Sequence, residues 1–153
     1  MASPVKVLHA PHTGITVRSL ERATHLFHNI LNLPVQRTAR LSPPISTITG
    51  HSQVEIDIAI IELPGGHCVE LLEYSLPVEE KQVEMKPMSW EVGSWHLCLT
   101  VQSLDDTVKA LTEYDSSWTT MAAPQLLEKG PNAGRRLVYL RNKEDGLILE
   151  LFE

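Results

Sequence analysis

The sequence contains an internal repeat, and this repeat is the feature that most limits how the chain can fold. HTGITVRSL at residues 12–20 returns 84 positions later as HLCLTVQSL at residues 96–104, with the histidine, Thr-Val and Ser-Leu in matching places. A second match closes each copy, where HCVELLEY (67–74) aligns with LILELFE (147–153). The chain is therefore predicted to contain two similar modules.

Each module is predicted to have the element order βαβββ. It opens on a strand that starts with a histidine, continues into a helix and closes on a strand that contains a glutamate. Module one covers about residues 10–74 and module two about 94–153, and the polar, acidic, proline-marked segment 75–93 is predicted to link them. The fold class is thus α+β, and residues 1–153 are predicted to form a single domain.

Three local elements carry specific predictions. Ser19 is predicted to cap a first helix in SLERATHLFHNILNL, which ends near Asn32. Residues 42–53 are predicted to be a polar loop, because two consecutive prolines keep them out of a helix. Residues 119–122 are predicted to form a strand that the next proline cuts short.

Strand alternation decides which side chains share a face of each sheet. In the first strand, Ile15 and Val17 must face the helix to be buried, which turns His12 to the opposite face. The same rule applies to the first strand of module two and to the closing strands of both modules. It turns one histidine and two glutamates to the face away from the helices. The four residues that the repeat places alike are His12, Glu70, His96 and Glu150.

These four residues predict a metal site if the two sheets curve into one cup. Two neutral imidazoles and two carboxylates balance a divalent cation, and mixed nitrogen and oxygen donors suit a borderline or hard metal. Carboxylates on a buried face are costly unless they are paired or bound to metal. A single histidine is more often an ordinary hydrogen-bonded residue than a metal ligand. The prediction therefore depends on all four residues having matching places in the repeat.

Other polar residues in these strands lack the same support. His67, Glu73 and Glu153 have the opposite strand parity. Cys68 and Cys98 share the face of the four residues, where small, partly buried side chains are a simpler interpretation than metal ligands.

Composition excludes several classes of protein. The chain has 13 Lys and Arg against 19 Asp and Glu, a net charge of −6, so neither nucleic acid nor an anionic membrane is an expected partner. Apolar runs such as 58–61 are much shorter than the about 20 residues that span a bilayer. Residues 1–11 lack the apolar core of a signal peptide, and two cysteines make no disulfide framework. A soluble cytoplasmic protein with a small-molecule substrate is expected.

The strand that opens at His12, together with HCVELLEY, SWHLCLTV and GLILELFE, resembles the vicinal oxygen chelate superfamily over about residues 10–153. That superfamily includes glyoxalase I, methylmalonyl-CoA epimerase, extradiol dioxygenases and drug-resistance binding proteins. The resemblance implies a glyoxalase-like fold, in which two βαβββ modules form an incomplete β-barrel cup. It also implies one divalent metal ion (Ni, Co, Zn, Mn or Fe) held by the four residues.

The four-residue set is most similar to metal-dependent glyoxalase I and to the epimerase branch. Extradiol dioxygenases resemble the chain in two histidines and the last glutamate, and resistance-type binding members generally lack the ligands. Glyoxalase I carries an arginine four residues after its first ligand, where this chain has Thr16. The opening HTGITV and the 26-residue spacing between Glu70 and His96 look more like the epimerase group.

The chemistry that fits this set is proton transfer at a carbon next to a metal-chelated carbonyl, of isomerase or lyase type. The base would be a carboxylate that can leave the metal. We favour Glu150, which closes the second module, and keep Glu70 as the alternative. For Arg135 and Arg136, near the mouth of the cup, both substrate contact and a solvated strand-end charge stay open.

Two other classes of function stay open at this point. One is an iron-dependent ring-cleaving dioxygenase that uses the same cup, and the other is a non-catalytic small-molecule binding or resistance protein. Half-barrels leave sheet edges exposed, and the superfamily pairs such edges in dimers. A symmetric homodimer is therefore expected.

Overall fold

A computed structural model of the chain describes residues 8–50, 53–76 and 88–153. The chain divides into two compact units, Met1–Lys81 and Gln82–Glu153. The boundary falls inside the segment predicted to be the linker, most of which lies outside the described residues. No helix in the described residues is long and apolar enough to cross a membrane.

The described residues of the first unit contain one α-helix and one four-stranded sheet. Its elements are β1 (His12–Thr16), α1 (Leu20–His25), β2 (Val35–Leu41), β3 (Ile56–Glu62) and β4 (Cys68–Tyr74). The strand order in the sheet is β1-β4-β3-β2, with β1 parallel to β4 and the other pairs antiparallel. The first and last strands of the module are thus neighbours, which brings the repeated histidine beside the repeated glutamate.

The helix of the first unit differs in form from the predicted one. Ser19 caps α1 as predicted, since its hydroxyl accepts a hydrogen bond from the Arg22 backbone N–H. The α-helical part ends at His25, and the chain continues as a π-helical turn over Leu26–Ile30. Asn32 then adopts a positive φ of 53°, a backbone conformation that ends helices and that asparagine tolerates better than most residues.

The predicted polar loop at residues 42–53 contains a short helix. A 3-10 helix covers Ile45–Thr49, directly after the two prolines, with Pro44 as its N-cap residue. The prolines therefore precede the helix rather than interrupt it, and a proline costs little at a helix start because the first turn's N–H groups have no partner in the helix. Gly50 ends the turn with a φ of 92°.

The second unit repeats the architecture of the first. Its elements are β5 (Leu97–Thr100), α2 (Leu104–Tyr114), β6 (Trp118–Thr120), β7 (Gln125–Leu126), β8 (Arg136–Asn142) and β9 (Ile148–Phe152). The strand order β5-β9-β8-β6 matches that of the first sheet, again with the first strand parallel to the last. The α+β class and the two similar modules are confirmed, and each sheet is open in the described residues.

The second unit adds one element and shortens another. The strand predicted at 119–122 is β6, which ends at Thr120, and the short strand β7 pairs with β8 beyond it. Helix α2 begins with a Ser103 cap, because the Ser103 hydroxyl accepts a hydrogen bond from the Asp106 backbone N–H. The two-residue β7 is too short to leave an alternating pattern in the sequence.

Each unit has a core on the helix-facing side of its sheet, as strand parity predicts, and the first unit has a second buried cluster on the Glu70 face, formed by Val54, Ile56, Ile58 and Ile60. Ile15 and Val17 are buried in the first unit. The matching closing-strand residues that are also buried are Val69, Leu71, Leu149 and Leu151. Burial of these alternate positions is what turns the residues between them, including both glutamates, to the other face.

Candidate functional site

In the first unit, the structure brings His12 and Glu70 together. Strands β1 and β4 are parallel neighbours, with Gly14 opposite Glu70, so the histidine lies one strand over and two residues before the glutamate. The His12 Nε2 atom is 3.4 Å from Glu70 Oε2. The Glu70 side chain is 19% exposed and the His12 side chain 44%, so this pair is open to solvent on the histidine side.

The second unit has the equivalent pair at the equivalent strand positions. The His96 Nε2 atom is 3.0 Å from Glu150 Oε2, with side chains 40% and 15% exposed. Glu150 lies on β9 opposite Cys98 of β5. Two units that share a strand order therefore each place one imidazole nitrogen beside one mostly buried carboxylate.

Glu150 has neighbours that Glu70 lacks. Tyr139 on β8 is directly opposite Glu150, and its side chain interacts with the carboxylate. The Tyr139 ring also meets the His96 ring edge-on, with 5.2 Å between centroids. Burial and the adjacent carboxylate raise the pKa of Tyr139 to about 12, so the hydroxyl keeps its proton.

Cys98 contacts the same carboxylate from the other neighbouring strand. It stands directly opposite Glu150 in the parallel pair of β5 and β9. Partial loss of hydration raises the thiol pKa first, the carboxylate charge raises it further, and the positive charge of Arg135 opposes the shift. The raised pKa keeps the thiol protonated at neutral pH.

Glu70 lies between residues that donate no side-chain hydrogen bond. Gly14 and Ile60 stand opposite Glu70 on its two neighbouring strands, at the places that Cys98 and Tyr139 hold in the second unit. A Cβ atom added at Gly14 would lie 4.0 Å from Glu70 Oε2, so the glycine leaves space beside the carboxylate. The two glutamates are equivalent in the sequence repeat but not in their surroundings.

The residues that strand parity excluded have other partners. His67 lies within hydrogen-bonding distance of the Thr13 hydroxyl, 3.0 Å away, on the face opposite to His12. Glu73 accepts a hydrogen bond from the Leu20 backbone N–H at the start of α1. Glu153 pairs with Arg136 at 3.1 Å. Their polar groups serve local structure.

The donor types of each pair fit a divalent metal ion. An imidazole nitrogen and a carboxylate oxygen already lie close together, on a face with few other charged groups, and both are accepted ligands of borderline metals. Each unit supplies two such groups. In residues 8–50, 53–76 and 88–153, no three His, Cys, Asp or Glu side chains are grouped so that they could hold a metal ion. That the two pairs share one ion stays a prediction.

Arg135 and Arg136 have different environments. Arg136 pairs with Asp105 at 2.9 Å and with Glu153, so its charge is neutralised twice. Arg135 donates a hydrogen bond to the Thr100 hydroxyl at 3.0 Å. Its guanidinium also lies 4.6 Å from the centre of the Phe152 ring. The sequence left two interpretations open for both arginines, substrate contact and a strand-end charge. Arg136 is a paired surface charge, whereas Arg135 lies on the face of Glu150.

Tyr139 is the site residue that sequence reasoning missed. Val138 and Leu140 are buried, so alternation along RRLVYL places Tyr139 on the face of Glu150. The turn that follows β8 sets which residue of β9 stands opposite it. The alternation was available from the sequence, but the cross-strand partner depends on the turn.

Two βαβββ modules, each with a His and Glu pair on the face away from its helix, define the glyoxalase-like class. The family described as Glyoxalase/Bleomycin resistance protein/Dioxygenase superfamily matches residues 11–138. The chain belongs to this superfamily, also called the vicinal oxygen chelate superfamily. No curated protein sequence matches it significantly.

Solved structures of several glyoxalase-related proteins share the fold. A glyoxalase family protein from Bacillus cereus is 22% identical, with 100% of this chain and 98% of that chain covered and a TM-score of 0.78. The trypanothione-dependent glyoxalase I of Leishmania major is 16% identical, with 96% and 87% covered and a TM-score of 0.60. A glyoxalase I variant from Zea mays is 14% identical, with 93% and 43% covered and a TM-score of 0.59.

Proposed function

We propose that the protein is a metal-dependent enzyme that moves a proton at a carbon next to a carbonyl group of a small molecule, as an isomerase or lyase. The observation that carries the proposal is the repeated pair, in which His12 with Glu70 and His96 with Glu150 occupy the same places in two modules. Membership of the superfamily supports the same class of chemistry.

The four side chains of the two pairs would together hold one divalent ion, chosen from Ni, Co, Zn, Mn and Fe. The ion would polarise the carbonyl oxygen of the substrate and stabilise negative charge that develops there. The histidines are suited to act as fixed ligands, because the neutral imidazole is a strong nitrogen donor without a role in this proton transfer. One of the two glutamates is left to accept the proton.

The contacts of the two glutamates favour Glu70 as the base, which reverses the preference drawn from the sequence. Glu150 lies between two side chains that can donate hydrogen bonds, Tyr139 and Cys98, on its neighbouring strands, and both interact with the carboxylate. Glu70 has no such donors on its neighbouring strands, and Gly14 leaves it room to move. A base must leave its resting contacts to reach a carbon, which Glu70 does at lower cost.

Hydrogen exchange with solvent tests the proposed reaction. A panel of α-oxo thioesters, hemithioacetals and catechols is incubated with the metal-loaded protein in deuterium oxide and analysed by NMR and mass spectrometry. Deuterium is expected at the carbon beside the carbonyl, in product or in recovered substrate, without oxygen consumption. Stoichiometric uptake of oxygen with a catechol would instead identify a ring-cleaving dioxygenase. Binding without exchange or turnover would identify a binding or resistance protein.

We propose that the protein is a homodimer. Large apolar side chains are exposed in both units, among them Ile48, Trp90 and Leu126, and exposed apolar surface of this kind favours association. Sedimentation at micromolar concentration is expected to give about twice the chain mass of 17.1 kDa. A monomer that retains metal and activity would contradict this.

The cysteines bear on where the protein resides. Cys68 and Cys98 are both free. Free thiols persist in reducing compartments, which supports the proposal of a cytoplasmic protein.

A further inference from the structure

We infer that Arg135 is the specificity-determining residue of the site and binds an anionic group, a carboxylate, of the substrate. The inference deepens the proposed function and rests on it, because it describes which small molecules the same site accepts. It depends on contacts within the second unit alone.

Arg135 forms no ion pair within residues 8–50, 53–76 and 88–153. Its guanidinium contacts the Thr100 hydroxyl and the Phe152 ring, and no carboxylate pairs with it in the part of the chain that the structure describes. An arginine side chain stays protonated at all physiological pH values, so this positive charge is permanent. In a chain with net charge −6, a half-buried arginine without an acidic partner is unusual, and the adjacent Arg136 has two.

The guanidinium is held in place but keeps free donors. Thr100 uses one of its five N–H groups, and contact with the Phe152 ring restricts the plane of the group. The remaining N–H groups are available to a planar carboxylate, which arginine binds with two parallel hydrogen bonds. Because the contacts with Thr100 and Phe152 already immobilise the guanidinium, it loses little conformational entropy when it binds a ligand. These contacts therefore favour binding.

The position of Arg135 relative to Glu150 limits the length of the substrate. Phe152 lies two residues beyond Glu150 on the same face of β9, and Thr100 lies two residues beyond Cys98 on β5. At about 3.3 Å per residue, the Arg135 guanidinium therefore lies about 6–7 Å from the Glu150 carboxylate, measured along the strands. The substrate class is therefore an oxo acid, and a separation of about three to five carbons between its carboxylate and its carbonyl would span this distance.

The test uses a panel of oxo acids in which three, four or five carbons separate the ketone from the carboxylate. Each acid is compared with its neutral methyl ester, and dissociation constants are measured by calorimetry on the metal-loaded protein. Wild-type protein is expected to bind at least one acid roughly tenfold or more tightly than its ester, the range of a charge-assisted hydrogen bond. The difference is expected to shrink as salt is added.

Two variants of neighbouring arginines provide the matched comparison. Arg135→Gln is expected to remove the preference for acid over ester, whereas Arg136→Gln keeps it, since Arg136 is already paired. Arg135→Lys keeps the positive charge but cannot donate two parallel hydrogen bonds to a carboxylate. It is expected to retain part of the preference for acid over ester. Metal content and circular dichroism of each variant report whether it is folded.

Two results would overturn the inference. One is that wild-type protein prefers no acid over its ester, and the other is that Arg136→Gln loses the preference as fully as Arg135→Gln. Both are measured by binding, so they are independent of proton exchange. An acid preference without exchange would keep the anion site and reject the proposed function, and exchange without an acid preference would do the reverse.

Discussion

Glu70→Gln is expected to abolish proton exchange while the protein keeps its metal. The glutamine carbonyl oxygen can still act as a ligand, but the amide cannot accept a proton at neutral pH. Because loss of a general base costs about 10²–10⁴-fold, kcat and the exchange rate should fall by that factor. The affinity for substrate should change far less, since proton transfer occurs only in the transition state.

Glu150→Gln is the matched control, since both glutamates stand at the same place in the repeat. Tyr139 and Cys98 would still meet an amide oxygen at position 150, so a smaller loss of exchange is expected than at position 70. Metal content measured by mass spectrometry separates loss of the base from loss of the ion. If Glu150→Gln stops exchange and Glu70→Gln does not, the preference from the sequence is correct. If both variants keep full activity, proton transfer by a glutamate is wrong.

The sequence was sufficient to predict which residues share a face, because that depends on local alternation. Burial of Ile15 and Leu149 turns His12 and Glu150 outward whatever lies further along the chain. The same holds for Glu70. The pairing of each histidine with the glutamate of its own module was not predicted, because it depends on the strand order, in which the first and last strands of each module are neighbours.

The difference between the two glutamates could not be read from the sequence, because it depends on register between strands. The sequences around the two glutamates, Val-Glu-Leu and Leu-Glu-Leu, are nearly the same. Tyr139 reaches Glu150 because of the turn after β8, where the buried Asn142 accepts hydrogen bonds from the N–H groups of Glu144 and Asp145. A shift of one residue in that turn would place Leu140 or Val138 beside the glutamate instead.

The π-helical turn and the 3-10 helix escaped prediction for a related reason. Both differ from the predicted element only in hydrogen-bond spacing over five residues, and apolar periodicity does not resolve such short segments. Neither changes which side of the sheet the helix covers. The strand parity on which the predicted site depends is therefore unaffected by these two differences.

His96→Ala is expected to remove most of the metal affinity, by more than the roughly 10–100-fold that changes outside the ligand shell cost. The histidine supplies one of two donor groups in its unit, and the Glu150 carboxylate 3.0 Å away would remain as a single ligand. Dialysis against a chelator-buffered metal series, with the bound ion measured by mass spectrometry, gives the affinity. His67→Ala is the control, because its ring contacts Thr13 and the Ala10 carbonyl on the other face.

The number of ions lost decides whether the two pairs form one site. If His12, Glu70, His96 and Glu150 hold one ion together, wild-type protein binds close to one ion per chain, and His12→Ala and His96→Ala each remove nearly all of it. If each pair bound its own ion, wild-type protein would bind two and each variant would keep one. That second result would contradict the shared site while leaving the two His and Glu pairs intact. Equal loss from His67→Ala would contradict the parity argument itself, since that residue lies on the opposite face.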